Sequence, residues 1–440
     1  MLARILSRTI GAQGNTGMAR LSDGPLRSRR VLPGEPVKPT TEIERRLLAL
    51  WEEVFGIEGL GIEDDYFALG GSSLLAARLF SSIAQAFNVK LPLSSILETP
   101  TVRALSHHLE QHPTAIFEWP TVSALSHDLE QHPMQRSRSL VELKGGGSRN
   151  LFLVHDGDGE TLLYLNWAHR MPADLSVVGI EPLRIPGVPL AQLSIEEMAV
   201  FYVGEIRRRQ PNGPYLLGGL CAGGVIAFEM ASQLVRAGEA VELVVLLETA
   251  TPGTPKRRGL ITSQRLGRLR QALTDTSRTE RSHVARACTG FGVISRKLVN
   301  MLSWEIMQRG RRWSVGARFR LLRYLRARGL PWPRLLPGLS VRQIYASAEA
   351  LYVPRPLFHA SVVLVRARAG VEDDAPYLEI YADDTFGWRA LTDKLVVIDV
   401  DGGHSSMLQE PFVQSLATAL APIVATSASV RLPLAQMEIA

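Results

Sequence analysis

Three kinds of residue in the second half of the chain could together transfer an acyl group. Cys221 lies in Gly218-Gly219-Leu220-Cys221-Ala222-Gly223-Gly224, between an apolar run that reads as a buried strand (214–217) and one that reads as a packed helix (225–231). A strand that must turn sharply into a helix at residue 221 tolerates little bulk on either side. Glycines at 219 and 223 remove the Cβ atoms that would collide, so Cys221 can be held in strained backbone with its thiol exposed. This is a G-x-S-x-G nucleophile elbow in pattern, with cysteine in place of serine. A thiol so placed needs a base, and His404 sits in the glycine-loosened loop Asp401-Gly402-Gly403-His404-Ser405-Ser406. The base needs an acid to orient it. Glu248, directly after the apolar run 241–247, is the preferred candidate because it ends the strand next after the elbow. Asp374, Asp383 and Asp384, beyond the following strand, are the alternatives.

The elements around these residues alternate. Apolar runs at 150–155, 175–180, 241–247, 361–365 and 395–400 are continuous, as in strands buried on both faces of a parallel sheet. Helical patterns lie between them: one opens at Ser194 with a capping box to Glu197 and runs to about Arg209, and a last one closes the chain from about Glu410. Alternation of this kind specifies an α/β fold with a doubly wound sheet. In open α/β sheets the reactive groups gather at the carboxyl ends of the strands, where Cys221, Glu248 and His404 all fall. Backbone N–H groups of Ala222, just after the nucleophile, and of Gly157 in His155-Asp156-Gly157-Asp158-Gly159 are placed to receive a developing oxyanion.

A second centre lies upstream. Thr41 can cap a helix with Glu44 three residues on, and Leu47, Leu48, Trp51 and Val54 recur at helical spacing. The loop that follows ends in Asp64-Asp65-Tyr66-Phe67-Ala68-Leu69-Gly70-Gly71-Ser72-Ser73-Leu74, and two glycines release the backbone before an apolar helix. Ser73 then stands at a helix N-terminus, where free N–H groups and the positive end of the dipole favour a phosphate. Next, residues 98–113 recur almost unchanged as 118–133, a local duplication that occurs only twice. Either copy can supply a final helix to this region. The histidines in the copies (107, 108, 112, 127 and 132) are duplicated helix-surface residues, and no metal site is expected from them.

Residues 41–113 resemble an acyl or peptidyl carrier domain, whose signature D-x-F-x-x-L-G-G-x-S-L is met by Asp65, Phe67, Leu69, Gly70, Gly71, Ser73 and Leu74. The resemblance implies a small four-helix domain in which Ser73, and not Ser72, carries 4′-phosphopantetheine attached by a phosphopantetheinyl transferase. From about residue 138 to the end the chain resembles the thioesterase domain that ends nonribosomal peptide and polyketide synthetases, a member of the α/β-hydrolase family. The resemblance runs through Leu151–His155, the elbow, the Gly387-Trp388 pair and the histidine loop; cysteine at 221 and glutamate at 248 depart from the usual serine and aspartate. It implies a helical lid over about residues 253–345. It also implies an enzyme that releases an acyl or peptidyl chain from a carrier by hydrolysis, as the terminal step of a pathway of the antibiotic-producing kind. The alternatives are cyclisation or acyl transfer by the same triad, and a non-catalytic carrier scaffold. The implied partners are an upstream synthetase module with adenylation or condensation domains.

The remaining segments are a basic linker over 1–40, in which Asp23–Pro33 resembles the tail of an adenylation domain, and a linker over 114–137 that holds the second repeat copy. Two cysteines in 440 residues cannot form a disulfide framework and fit a reducing, cytoplasmic setting, and no apolar run is long enough to span a bilayer. The net charge of +6 is uneven: residues 256–334 hold 20 Lys and Arg against three acids, leaving −11 for the rest. Without a nucleic-acid motif among these arginines, nucleic acid is not an expected partner.

Overall fold

The computed structural model describes residues 27–28, 35–87, 89, 91–111, 139–183, 188–257, 310, 313–330, 332–333, 336–370 and 374–426. The chain divides into two compact units, Met1–Ile116 and Phe117–Ala440. Most of the expected adenylation-like remnant, the second repeat copy with its linker and most of the lid lie outside the described residues.

The first unit is built on four helices: α1 (Glu42–Phe55), α2 (Ser73–Phe87), α3 (Ser95–Glu98) and α4 (Val102–Gln111). α1 opens on a complete capping box, with Thr41 Oγ1 accepting the Glu44 N–H at 3.1 Å and Glu44 Oε2 accepting the Thr41 N–H at 3.0 Å. Leu47 and Trp51, one helical turn apart, are fully buried with Tyr66, whose ring meets Trp51 edge-on at 5.7 Å. α4 comes from the first repeat copy and packs its Val102, Leu105 and Leu109 inward.

The second unit carries a seven-stranded sheet: β1 (Leu140–Lys144), β2 (Arg149–Val154), β3 (Leu175–Ile180), β4 (Tyr215–Leu220), β5 (Val241–Leu247), β6 (Ser361–Ala367) and β7 (Leu395–Val400). Their spatial order is β1-β3-β2-β4-β5-β6-β7, with β1 antiparallel at one edge and every other pairing parallel. Among the described residues its helices include α5 (Leu165–Ala168), α6 (Ile195–Arg209), α7 (Ala222–Arg236), α8 (Val341–Glu349), α9 (Tyr377–Ile380) and α10 (Val413–Thr426). This is the α/β-hydrolase architecture.

The central strands β3, β4 and β5 are buried almost throughout, which is why they read as unbroken apolar runs rather than as alternation. The edge strand β1 has only Leu143 in the core. At the start of α6, Ser194 accepts the Glu197 N–H at 3.1 Å as expected, but Glu197 reaches back to the N–H of Leu193 instead of closing a box on Ser194. α10 begins three residues later than expected, because Pro411 biases Glu410 away from helical backbone. Within the expected lid, residues 313–327 are helical, with Phe319 and Leu322 in the core and Arg320, Arg323 and Arg326 exposed.

Register sets the site. Leu220 of β4 pairs with Leu247 of β5, Leu247 with Val365 of β6, and Ala367 with Val400 of β7. The strands therefore end level with one another, and the residues that follow them emerge side by side.

Candidate active site

The elbow has the geometry its glycines allow. Cys221 stands at φ 52°, ψ −108° between β4 and α7, outside the broad regions open to L-residues. A Cβ on Gly219 would lie 2.4 Å from the Gly223 carbonyl carbon, and one on Gly223 would lie 2.5 Å from the carbonyl oxygens of Val154 and His155, so strand and helix meet backbone to backbone. Two further bonds fix the turn: the Cys221 N–H donates to Leu247 O at 2.9 Å, and the Leu220 N–H donates to the buried hydroxyl of Tyr164 at 2.8 Å.

Glu248, one residue past β5, is also at positive φ, 41°, and is fully buried. Each of its carboxylate oxygens is held by a backbone N–H at 2.7 Å: Oε1 by Ala367 and Oε2 by Tyr377. Oε2 also lies 3.5 Å from Nδ1 of His404. The approach of ring nitrogen to carboxylate is that of an ion pair, since Nδ1 makes no aligned hydrogen bond. Trp388 braces this strand end; its Nε1–H donates to Thr249 O at 2.7 Å and its ring packs on Phe228 of α7 at 4.6 Å.

Burial works against a charged imidazole at His404, but the neighbouring Cys221 and the pairing with Glu248 outweigh it and raise the ring from 6.5 to about 9. The structure thus brings Cys221, His404 and Glu248 together.

The other three acids stand elsewhere. Asp374 binds the histidine loop rather than the ring: Oδ1 accepts the N–H and the hydroxyl of Ser405 at 2.7 and 2.8 Å, and Oδ2 accepts the Ser406 hydroxyl at 2.5 Å. The Asp374 carbonyl takes the His404 N–H at 2.9 Å. Burial would raise the Asp374 carboxyl, but these serine bonds prevail and hold it below its ordinary value. A Cβ on Gly403 would lie 2.1 Å from Asp374 Oδ2, which accounts for the glycine. Asp383 closes its own turn by accepting the N–H groups of Thr385 and Gly387, each at 2.8 Å, while Asp384 meets Arg257 at 3.6 Å on the surface.

Gly157 and Ala222 are neighbours across the elbow, for a Cβ on Gly157 would touch that of Ala222 at 3.8 Å. The turn that carries Gly157 closes on itself: Asp156 Oδ1 accepts the N–H groups of Asp158 and Glu160, and the Gly159 N–H donates to Asp156 O. Arg342 of α8 ties this turn from above through two contacts with Asp158, at 2.8 and 2.5 Å.

Tyr377 is a member of this cluster that no sequence pattern singles out. Its hydroxyl lies 3.0 Å from Cys221 Sγ, and its ring stacks on His404 with centroids 4.6 Å apart and planes 23° from parallel. It belongs to a four-residue helix in an irregular stretch without periodicity.

In the first unit, Ser73 is the first residue of α2. Gly70 has φ 85°, and a Cβ on Gly71 would overlap the Tyr66 ring at 2.2 Å, so only glycines can bring the chain into this start. Ser72 is engaged at both ends: its carbonyl accepts the Tyr66 hydroxyl at 2.7 Å and its Oγ accepts the Leu75 N–H at 3.4 Å.

Residues 45–109 match the family model of the phosphopantetheine attachment site, and residues 149–291 match that of the thioesterase domain. The chain joins a phosphopantetheine carrier to a thioesterase domain. The carrier is a site for 4′-phosphopantetheine, and the glycine-shaped entry to a 15-residue helix fits a serine-linked phosphate at its N-terminus. The matched part of the thioesterase domain includes Cys221 and Glu248 but ends well before His404. Among curated relatives, the chain is 34% identical over 211 residues to a dimodular nonribosomal peptide synthase of Bacillus subtilis, and 30% identical over 212 residues to malpibaldin synthetase of Mortierella alpina. Each alignment takes in 48% of this chain but only 8% and 4% of those relatives, so the chain spans a small fraction of their length. A solved structure of the NocB thioesterase domain from the nocardicin cluster aligns over 66% of this chain and all of its own, with 23% identity and a TM-score of 0.39.

Proposed function

We propose that the protein releases an acyl or peptidyl chain from its phosphopantetheine carrier through an acyl-enzyme on Cys221, as the terminal step of nonribosomal peptide or related polyketide biosynthesis. One observation carries the proposal: a cysteine in a strained elbow, a histidine and a buried glutamate meet at the strand ends of a chain that also carries a phosphopantetheine attachment site.

The arm on Ser73, when present, offers the cargo as a thioester. His404 withdraws the proton from Cys221 Sγ, and the sulfur attacks the thioester carbonyl. The N–H groups of Ala222 and Gly157 receive the oxyanion, and Glu248 steadies the imidazolium through Nδ1. Glu248, 3.5 Å from Nδ1, helps His404 hold that proton until the departing thiol takes it back. Water, activated by His404, then hydrolyses the acyl-cysteine. Ser73 is favoured over Ser72 as the attachment point because Ser72 is already occupied in capping α2.

A second acceptor class, an amine or hydroxyl of the cargo or of another molecule, is favoured by the cysteine itself. Transfer from one thioester to another is nearly thermoneutral, so acyl-Cys221 keeps free energy that a serine ester would have lost.

The test is to charge the full chain with acyl-pantetheines of different lengths and to identify the released products by mass. Free acids arise if water is the acceptor and cyclic or amide products if it is not. Release that is unchanged in Cys221→Ala would defeat the proposal.

A further inference from the structure

Tyr377 touches each member of the cluster through a different part of itself. Its backbone N–H holds Glu248, its ring lies flat against His404, and its hydroxyl reaches Cys221. We propose that Tyr377 is a catalytic residue whose hydroxyl donates a hydrogen bond to the Cys221 sulfur and so holds the thiolate–imidazolium pair from which acyl transfer starts. This rests on Cys221 being the nucleophile.

The chemistry of the neighbours selects Tyr377. Tyr164 and Tyr345 also feel the charge of Cys221, but both spend their protons elsewhere: Tyr164 donates to Val154 O at 2.8 Å, and Tyr345 of α8 donates to Glu349 at 3.0 Å. Tyr381, Glu248 and His404 face Tyr377 from the acid and base side, and Arg342 adds positive charge from α8. Burial first, and the charge on Cys221 second, push the Tyr377 hydroxyl far above the ordinary range for tyrosine. It therefore keeps its proton and serves an anionic sulfur only as a donor.

The step balances without any further reactant. The S–H bond of Cys221 breaks, an N–H bond forms on His404, and the phenolic O–H stays intact. As the new C–S bond forms, the negative charge passes from sulfur to the carbonyl oxygen and the tyrosine bond weakens. Tyr377 thus favours the start of the reaction and releases its hold as the reaction proceeds. The ring is fixed for this task, packed edge-on against Tyr381 at 5.0 Å and Phe386 at 5.9 Å.

Tyr377→Phe removes the hydroxyl alone and keeps the stack and the backbone bond to Glu248. The experiment measures alkylation of Cys221 by iodoacetamide in the full chain from about pH 5 to about pH 10. A hydrogen bond to a charged acceptor corresponds to roughly a tenfold change. The half-maximal rate of the variant should therefore be displaced about one pH unit upward, with alkylation about 10-fold slower on the acid side of the wild-type midpoint. Its melting temperature and circular dichroism should match the wild type. Replacing Tyr377 with 3,5-difluorotyrosine, a stronger donor, should displace the curve downward and gives a second reading should the phenylalanine variant fold poorly. Superimposable curves in either properly folded variant would overturn the role of Tyr377. Loss of the Cys221 assignment would be seen separately, as normal thioester turnover by Cys221→Ala.

Discussion

Cys221 and Glu248 follow directly on adjacent strands, both at positive φ, 52° and 41°, and a bond of 2.9 Å from the Cys221 N–H to the carbonyl just before Glu248 joins the two turns. Backbone of this kind costs on the order of 1–3 kcal/mol for each non-glycine residue. It persists because the surroundings are over-determined: β5 is fixed on both sides, and both oxygens of Glu248 are already bonded.

The bonded oxygens make Glu248 specific in length as well as in charge. Glu248→Asp should leave the N–H of Ala367 or of Tyr377 without its partner and destabilise the protein by about 1–3 kcal/mol. Glu248→Gln keeps the length but loses the charge that steadies His404, and it should lower kcat by roughly 10²- to 10⁴-fold. Urea unfolding and steady-state kinetics on a small acyl thioester separate the two effects. Equal stability and equal kcat in both variants would remove Glu248 from the triad.

Asp374 acts on the backbone of the histidine loop, so its loss should be milder. Asp374→Asn should lower kcat about 10-fold, well short of the effect of Glu248→Gln, because His404 loses its anchor but keeps its acid. Folded Asp374 holds its proton less tightly than in the unfolded chain. Its contribution to stability is therefore present above the ordinary carboxylate range and is lost as pH falls below it. Denaturation of the two proteins at neutral pH and at pH values below the ordinary carboxylate range checks this: their stabilities should converge at the acid end.

His404 has the opposite sign. Its folded value of about 9 lies above the 6.5 of the free side chain, so its stabilisation is complete below about pH 6.5 and is lost as pH rises through about 9. The contribution is on the order of 3 kcal/mol at most. The gap in stability between wild type and His404→Gln should narrow steadily across that interval. A gap independent of pH would mean that the ring is not charged in the folded protein.

In the carrier, Ser73→Ala should abolish the mass increase produced by coenzyme A and a phosphopantetheinyl transferase, whereas Ser72→Ala should keep it and show only a small loss of helix stability. Modification that persists in Ser73→Ala would move the attachment point.

Much of this arrangement was legible in the sequence, for identifiable reasons. The strands β3, β5 and β7 were readable to the residue because buried parallel strands are uninterrupted apolar runs. The elbow was readable because only glycine permits the close approaches at 219 and 223. β1 was not singled out, since an edge strand with one core residue has no such run. Tyr377 was hidden for another reason. Its position depends on bonds to Glu248, which is distant in sequence, and no local pattern encodes a residue whose surroundings are wholly tertiary. The choice among four acids was equally tertiary: Glu248 alone approaches the His404 ring, while Asp374 is spent on Ser405 and Ser406.

The central claim is that the acyl chain passes through the sulfur of Cys221. Intact-mass measurement of the protein mixed with a small acyl thioester tests it most directly. The account predicts an added acyl mass mapped to Cys221, which accumulates when Cys221 is intact and His404 is replaced by a weaker base, and which is absent in Cys221→Ala together with all turnover. Turnover by Cys221→Ala at the wild-type rate, or an acyl mass mapped to any other residue of the thioesterase domain, would contradict it.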